Sequence, residues 1–119
     1  MKKEDCIVRL DNGKYVFKIF PSNSNSYPLG VSANEFETPQ ECMNALEKFK
    51  TFVIANHLDT VDNKFIVISS ITRKEIPENL YYFTYFEKGN PVFRRELGYY
   101  TRKNCFKGVN SVFRNLMEL

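Results

Sequence analysis

Two segments of this chain repeat one another, and the repeat limits the possible folds more than any other feature of the sequence. Residues 28–53 align with residues 91–116 at a constant offset of 63, and the identical pairs are Pro28 with Pro91, Thr38 with Thr101, and Cys42 with Cys105. Between these identities, apolar residues fall at matching positions. The chain is therefore predicted to contain the same structural unit twice.

Each copy contains the pattern of an amphipathic helix. Apolar residues recur at steps of four, three and four, which is the spacing of one helix face. They are Cys42, Leu46, Phe49 and Val53 in the first copy and Cys105, Val109, Val112 and Leu116 in the second. Thr38 and Thr101 precede these patterns and can accept hydrogen bonds from the free amides of the first turn. The sequence predicts helices at 39–55 and 102–117.

Three strand-like segments precede each predicted helix. They are 6–10, 14–20 and 29–36 in the first copy, and 64–71, 80–87 and 91–98 in the second. Asn12-Gly13 favours a tight turn between the first two, because glycine readily adopts a positive φ. Strands joined by short loops pair in an antiparallel manner. We predict an α+β fold that repeats a strand-strand-strand-helix unit at 5–56 and 64–119, with an antiparallel sheet of about six strands and both helices on one face.

The size of the chain fits a single domain over residues 1–119. One unit of about 55 residues would bury little surface alone, so the two copies are expected to share a core. Apolar residues make up 43% of the chain, which is enough for such a core. No run of about 18 apolar residues is present, so no membrane span is expected. The start of the sequence has no apolar stretch typical of a signal peptide, and a cytoplasmic location is predicted.

The second copy also carries a family resemblance. Residues 91–113 combine an apolar strand, a Gly-aromatic pair, a threonine-capped helix and a Gly-apolar-x-Ser-Val pattern. These features are Gly98-Tyr99 and then Gly108, Val109, Ser111 and Val112. The segment resembles the YegP-like family, small bacterial proteins with a duplicated domain of unknown function. The resemblance implies one continuous sheet in which the strand after the first helix is exchanged between the repeats. It implies no activity, cofactor or catalytic residue.

Residue sets for common chemistries are missing from the sequence. The single histidine, His57, stands at the end of the first predicted helix, where a cation interacts favourably with the helix dipole. The odd number of cysteines, at dispersed positions, favours buried thiols over disulfides or a zinc site. Glu35 and Glu37 share one side of a strand, a pattern typical of a solvated strand end more often than of an acid–base pair. We predict a protein that is not an enzyme, with no catalytic residues, no metal site and no cofactor.

Charge is distributed unevenly along the chain. Residues 1–63 hold seven Lys and Arg against nine Asp and Glu, and residues 64–119 hold ten against five. This asymmetry indicates either a basic binding face or two halves that attract one another.

A binding surface is expected on the sheet face that the helices leave open. Lys18 and Thr84 occupy equivalent strand positions and mark that face, and residues of the same parity share it. This parity places Val16 and Phe20 on that side in the first copy, and the six candidate binding residues, in or near the second copy, are Tyr82, Phe86, Arg94, Arg95, Arg102 and Lys103. Three interpretations stay open: packing or homodimerisation through the aromatics, a site for another protein or a small ligand, and weak binding of single-stranded nucleic acid.

Overall fold

The computed structural model describes residues 2–22 and 27–119 and shows an α+β fold. A short 3₁₀ turn, Lys3–Cys6, precedes the first strand. The elements that follow are β1 (Ile7–Arg9), β2 (Tyr15–Ile19), β3 (Gly30–Ser32), α1 (Pro39–Ala55), β4 (Ile66–Arg73), β5 (Ile76–Glu87), β6 (Asn90–Arg94) and α2 (Arg102–Met117). The order of three strands and a helix therefore occurs twice along the chain.

The six strands form one antiparallel sheet in the order β1-β2-β3-β6-β5-β4. β3 pairs with β6 at the centre, where Val31 lies opposite Arg94 and Ser32 opposite Phe93. The strand after the first helix, β4, pairs with β5 of its own half. The continuous sheet implied by the family resemblance is present, but the strand exchange is wrong. A hairpin between neighbouring strands provides the partner for β4 locally, so no strand has to cross to the other half.

Both helices begin and end where the sequence predicts. Thr38 and Thr101 cap them, and each hydroxyl oxygen accepts a hydrogen bond from the amide three residues on, at 3.1 Å. This contact satisfies one of the amides that the first helical turn leaves unpaired. Within the part of the chain that the structure describes, no helix is long and apolar enough to cross a membrane.

The core lies between the two helices and one face of the sheet. Phe17, Phe83, Phe93 and Tyr85 project from that face, and both helices contribute to the same buried cluster. Phe49 of α1 stands at its centre, with its ring 5.7 Å from that of Phe17 and 4.7 Å from that of Phe93. Because the cluster joins residues of both halves, each half completes the core of the other.

The strands before the helices are shorter than the predicted 29–36 and 91–98. After β3 and β6 the chain bulges away from its neighbour and then returns to it at a single pair, Phe36 with Tyr15 in the first half and Tyr99 with Tyr81 in the second. Bulges of this kind depend on pairing between distant residues and leave little trace in a local pattern.

Candidate interaction surface

The register of the central strands decides which side chains face away from the helices. Phe83 and Tyr85 of β5 lie in the core, so Tyr82 and Thr84 project from the opposite face, here called the helix-free face. Lys18 pairs with Val31, whose other neighbour Arg94 lies opposite Thr84. The predicted markers Lys18 and Thr84 therefore do lie on one side of the sheet.

The structure places three of the six candidate binding residues on the helix-free face. Tyr82 and Phe86 are half-buried there, and Arg94 is exposed. Phe86 shares a shallow groove with Val67 and with Lys64 and Lys88 at its rim. This arrangement combines an aromatic ring with cations on one surface.

The other three candidates do not join that surface. Arg95 turns to the helix side, where its guanidinium lies 4.1 Å from the centre of the Tyr99 ring. Arg102 stands over the ring of Tyr81, a residue packed against the core. Lys103 lines a groove between α2 and the segment after α1. The predicted set is thus divided between the two faces of the sheet.

Val16 and Phe20 of the first copy do not extend the helix-free face with exposed apolar side chains. Val16 projects from the helix-free face but is only 4% exposed. Phe20 lies just beyond β2 and lines a cavity of about 340 Å³ together with Asn115 and Leu119 near the end of α2. The first half therefore contributes little exposed apolar surface to the helix-free face.

The edge strand β4 also presents exposed side chains, none of which was among the predicted binding residues. Val67 and Ile71 project from the helix-free face and are 50% and 46% exposed, on either side of the exposed Ser69. β4 is the last strand of the sheet, and no strand in the described part of the chain pairs with its outer edge. The available signal was the run Ile66–Thr72, which contains β-branched residues and serines without one charge.

The hydrogen-bond ladder shows which backbone groups of β4 point outward. The amide of Phe86 donates to the carbonyl of Phe65 at 2.8 Å, which sets the phase of the pairing between β4 and β5. Since antiparallel ladders alternate, residues 67, 69 and 71 bond to β5. The amides and carbonyls of residues 66, 68, 70 and 72 then point away from the sheet. Such an edge is a template for another strand.

The cysteines are structural in their placement. Cys6, Cys42 and Cys105 are free and buried, as the sequence predicts. Burial raises the pKa of each thiol to about 11, so all three stay protonated at neutral pH. Among residues 2–22 and 27–119, no group of three or more His, Cys, Asp and Glu side chains is arranged to hold a metal ion.

His57 and the paired glutamates have structural contacts of their own. His57 adopts a positive φ of 52°, and its amide donates to the carbonyl of Ile54 while the next amide returns to Val53, which closes the end of α1. Glu35 accepts a hydrogen bond from Asn12 at 2.9 Å. Glu37 forms an ion pair of 3.4 Å with Lys14 in the adjacent turn. The two carboxylates therefore contact residues at the turn between β1 and β2.

No family model matches this chain, and no match was found among curated proteins or among solved structures.

Proposed function

We propose that this protein is a non-catalytic interaction module that pairs with a second copy of itself through the outer edge of β4. The observation that carries the proposal is the exposed strand at the end of the sheet, in which the run Ile66–Thr72 contains no charge. Natural proteins usually protect such an edge with charges, prolines or a covering element. An edge that lacks these features is suited to pairing.

A second copy fits this edge because the strand is complementary to itself. In an antiparallel pair related by a two-fold axis at Ser69, Val67 lies opposite Ile71 of the other copy, and Ile71 lies opposite its Val67. Residue 68 of each copy then lies opposite residue 70 of the other. These two residues form hydrogen-bonded pairs because their backbone groups point outward. Val67 and Ile71 fall at the closely spaced positions, where side chains of facing strands touch. Such an interface is isologous and closes at two copies.

Sedimentation velocity over a range of protein concentrations tests the pairing. We expect a species of twice the chain mass of 14.0 kDa. Val67→Lys and Ile71→Lys should both convert it to monomer, since each places like charges or a desolvated charge in the interface. Leu97→Lys is the matched control, because Leu97 is also 45% exposed but lies off β4. A wild-type monomer at every concentration, or equal dissociation by the control, would contradict the proposal.

Weak binding of single-stranded nucleic acid is the second candidate. Tyr82, Phe86 and Arg94 share the helix-free face, and stacking rings beside cations are what such binding requires. Only one of the four candidate cations lies on that face, which makes self-pairing the better supported function.

We also propose a family relationship and a cellular location for the protein. The resemblance of residues 91–113 supports a YegP-like relationship, and the three free, buried cysteines support a reducing, cytoplasmic location. Buried, protonated thiols and a histidine that closes a helix support a role without catalysis.

A further inference from the structure

The two halves place different side chains at equivalent points between helix and sheet. Ser32 and Arg95 stand 63 positions apart, at the start of the bulge that follows β3 and β6. Each makes the same first hydrogen bond, donated to the carbonyl two residues on: Ser32 Oγ to Asn34 at 2.9 Å, and Arg95 Nε to Leu97. The two side chains thus leave the backbone in equivalent environments, but serine ends where the arginine side chain continues.

In the second half, the guanidinium of Arg95 fills the space beyond that hydrogen bond. Its Nη1 donates to the carbonyls of Pro28 at 2.9 Å and Leu29 at 3.3 Å. One face of the guanidinium lies 4.1 Å from the centre of the Tyr99 ring. A planar cation is held there by carbonyl oxygens and an aromatic face.

In the first half the equivalent space is a cavity of about 190 Å³. The residues that contact the Arg95 side chain are Pro28, Leu29, Leu97 and Tyr99, and their counterparts 63 positions away are Pro91, Val92, Asn34 and Phe36. All of these counterparts except Pro91 line the cavity. The surroundings of a guanidinium are therefore repeated at a place where the chain supplies none.

The mouth of the cavity carries a carboxylate and an ammonium group. Glu87 and Lys48 both line it, and they form only a long ion pair of 3.8 Å in which the Lys48 side chain is 76% exposed. An exposed pair of this kind contributes little and exchanges partners easily. A guanidinium entering the cavity can pair with the carboxylate in the bidentate geometry that a lysine ammonium cannot adopt.

We propose that this cavity binds a guanidinium group supplied from outside the chain. Phe36 takes the stacking role of Tyr99, and Glu87 provides the countercharge. The group comes either from a small guanidinium compound or from an arginine side chain of another protein, and the chemistry recognised is the same. The proposal does not depend on pairing through β4.

Titration of the ¹⁵N-labelled protein with L-arginine amide and L-lysine amide, at constant ionic strength, tests this site. Arginine amide should produce saturable shifts of the amide resonances of Phe36 and Ala45, and lysine amide should bind at least tenfold more weakly. A tripeptide with arginine between two blocked glycines distinguishes the sources: tighter binding of the tripeptide points to a protein side chain, and binding of arginine amide alone points to a small compound. Absence of saturable shifts, or equal binding of the two amides, would overturn the proposal.

Variants locate the binding in the cavity. Glu87→Gln should weaken the binding of arginine amide at least tenfold. Glu96→Gln is the charge-matched control, because Glu96 forms its ion pair with Lys18, away from the cavity. Ser32→Arg should abolish binding, since its side chain would fill the cavity as Arg95 fills its own site. Should Ser32→Arg not fold, Ala45→Leu fills the same space from α1. Equal weakening by Glu87→Gln and Glu96→Gln, or full binding by a folded cavity-filling variant, would contradict the assignment.

Discussion

Replacing Gly108 with alanine tests how the second helix packs against the sheet. A Cβ at this position would lie 2.2 Å from the Tyr99 hydroxyl oxygen and 2.7 Å from its Cζ. The Tyr99 ring would have to move, together with the guanidinium of Arg95 stacked on it. Overpacking costs about 1–3 kcal/mol, whereas alanine in place of glycine within a helix gains about 1 kcal/mol. We expect Gly108→Ala to lower the free energy of unfolding by roughly 1 kcal/mol, the difference between these effects.

A double-mutant cycle with Tyr99→Ala separates the two effects. The three atoms nearest to the new Cβ all belong to Tyr99. In the Tyr99→Ala background, Gly108→Ala should therefore raise the free energy of unfolding by about 1 kcal/mol. The coupling energy is then about 2 kcal/mol. Urea unfolding followed by far-ultraviolet circular dichroism measures all four proteins, and Ala45→Gly on α1 provides a helix control that should cost about 1 kcal/mol. A stabilising effect of Gly108→Ala that does not depend on Tyr99 would refute the reasoning.

Three further predictions concern the core and the alternative function. Tyr85→Phe should raise the free energy of unfolding by about 1 kcal/mol, because the buried hydroxyl has no hydrogen-bond partner among the described residues; an unchanged or lower thermal midpoint would count against this. The urea midpoint should fall as the pH rises from 9 to 11, because burial raises the pKa of the Cys6, Cys42 and Cys105 thiols from 9.0 to about 11, so that the unfolded state loses its protons first. A flat midpoint over this range would show that the thiols are not protected by folding. Fluorescence titration of a labelled single strand at two salt concentrations should show no binding; salt-dependent binding that Arg94→Ala weakens would instead support the nucleic-acid candidate.

The helices could be predicted to the residue because their signals are local. In both helices a threonine cap and the four-three-four spacing lie within one segment of sequence. Hairpins between neighbouring strands were predictable for the same reason, and Gly13 takes the expected positive φ of 85°. The sheet face was also predictable, since Lys18 and Thr84 mark the parity of their strands.

Features that depend on distant residues were not predictable. The bulges after β3 and β6 return to Tyr15 and Tyr81 through pairs that no local pattern encodes. Arg95 was predicted to join an exposed basic face, but two of its three carbonyl partners lie 66 and 67 positions away in the other half. The run Ile66–Thr72 without a charge is a local signal, but the position of β4 at the edge of the sheet follows only from the strand order. Local patterns thus predicted the elements, and the order of the strands determined the candidate surfaces.

Cross-linking at Ser69 tests the proposed pairing of β4 most directly. In the two-fold arrangement each Ser69 lies opposite its own copy at a closely spaced position, about 4.5 Å between Cα atoms, which a disulfide can bridge. Ser69→Cys should therefore form a covalent dimer under mild oxidation, while Ser70→Cys, which would face residue 68, should not. The native thiols are buried, and each has a pKa of about 11, so they should not compete. Non-reducing electrophoresis reads the outcome: a dimer for Ser69→Cys alone is the expected result, and no dimer, or equal dimer for both variants, would contradict the pairing.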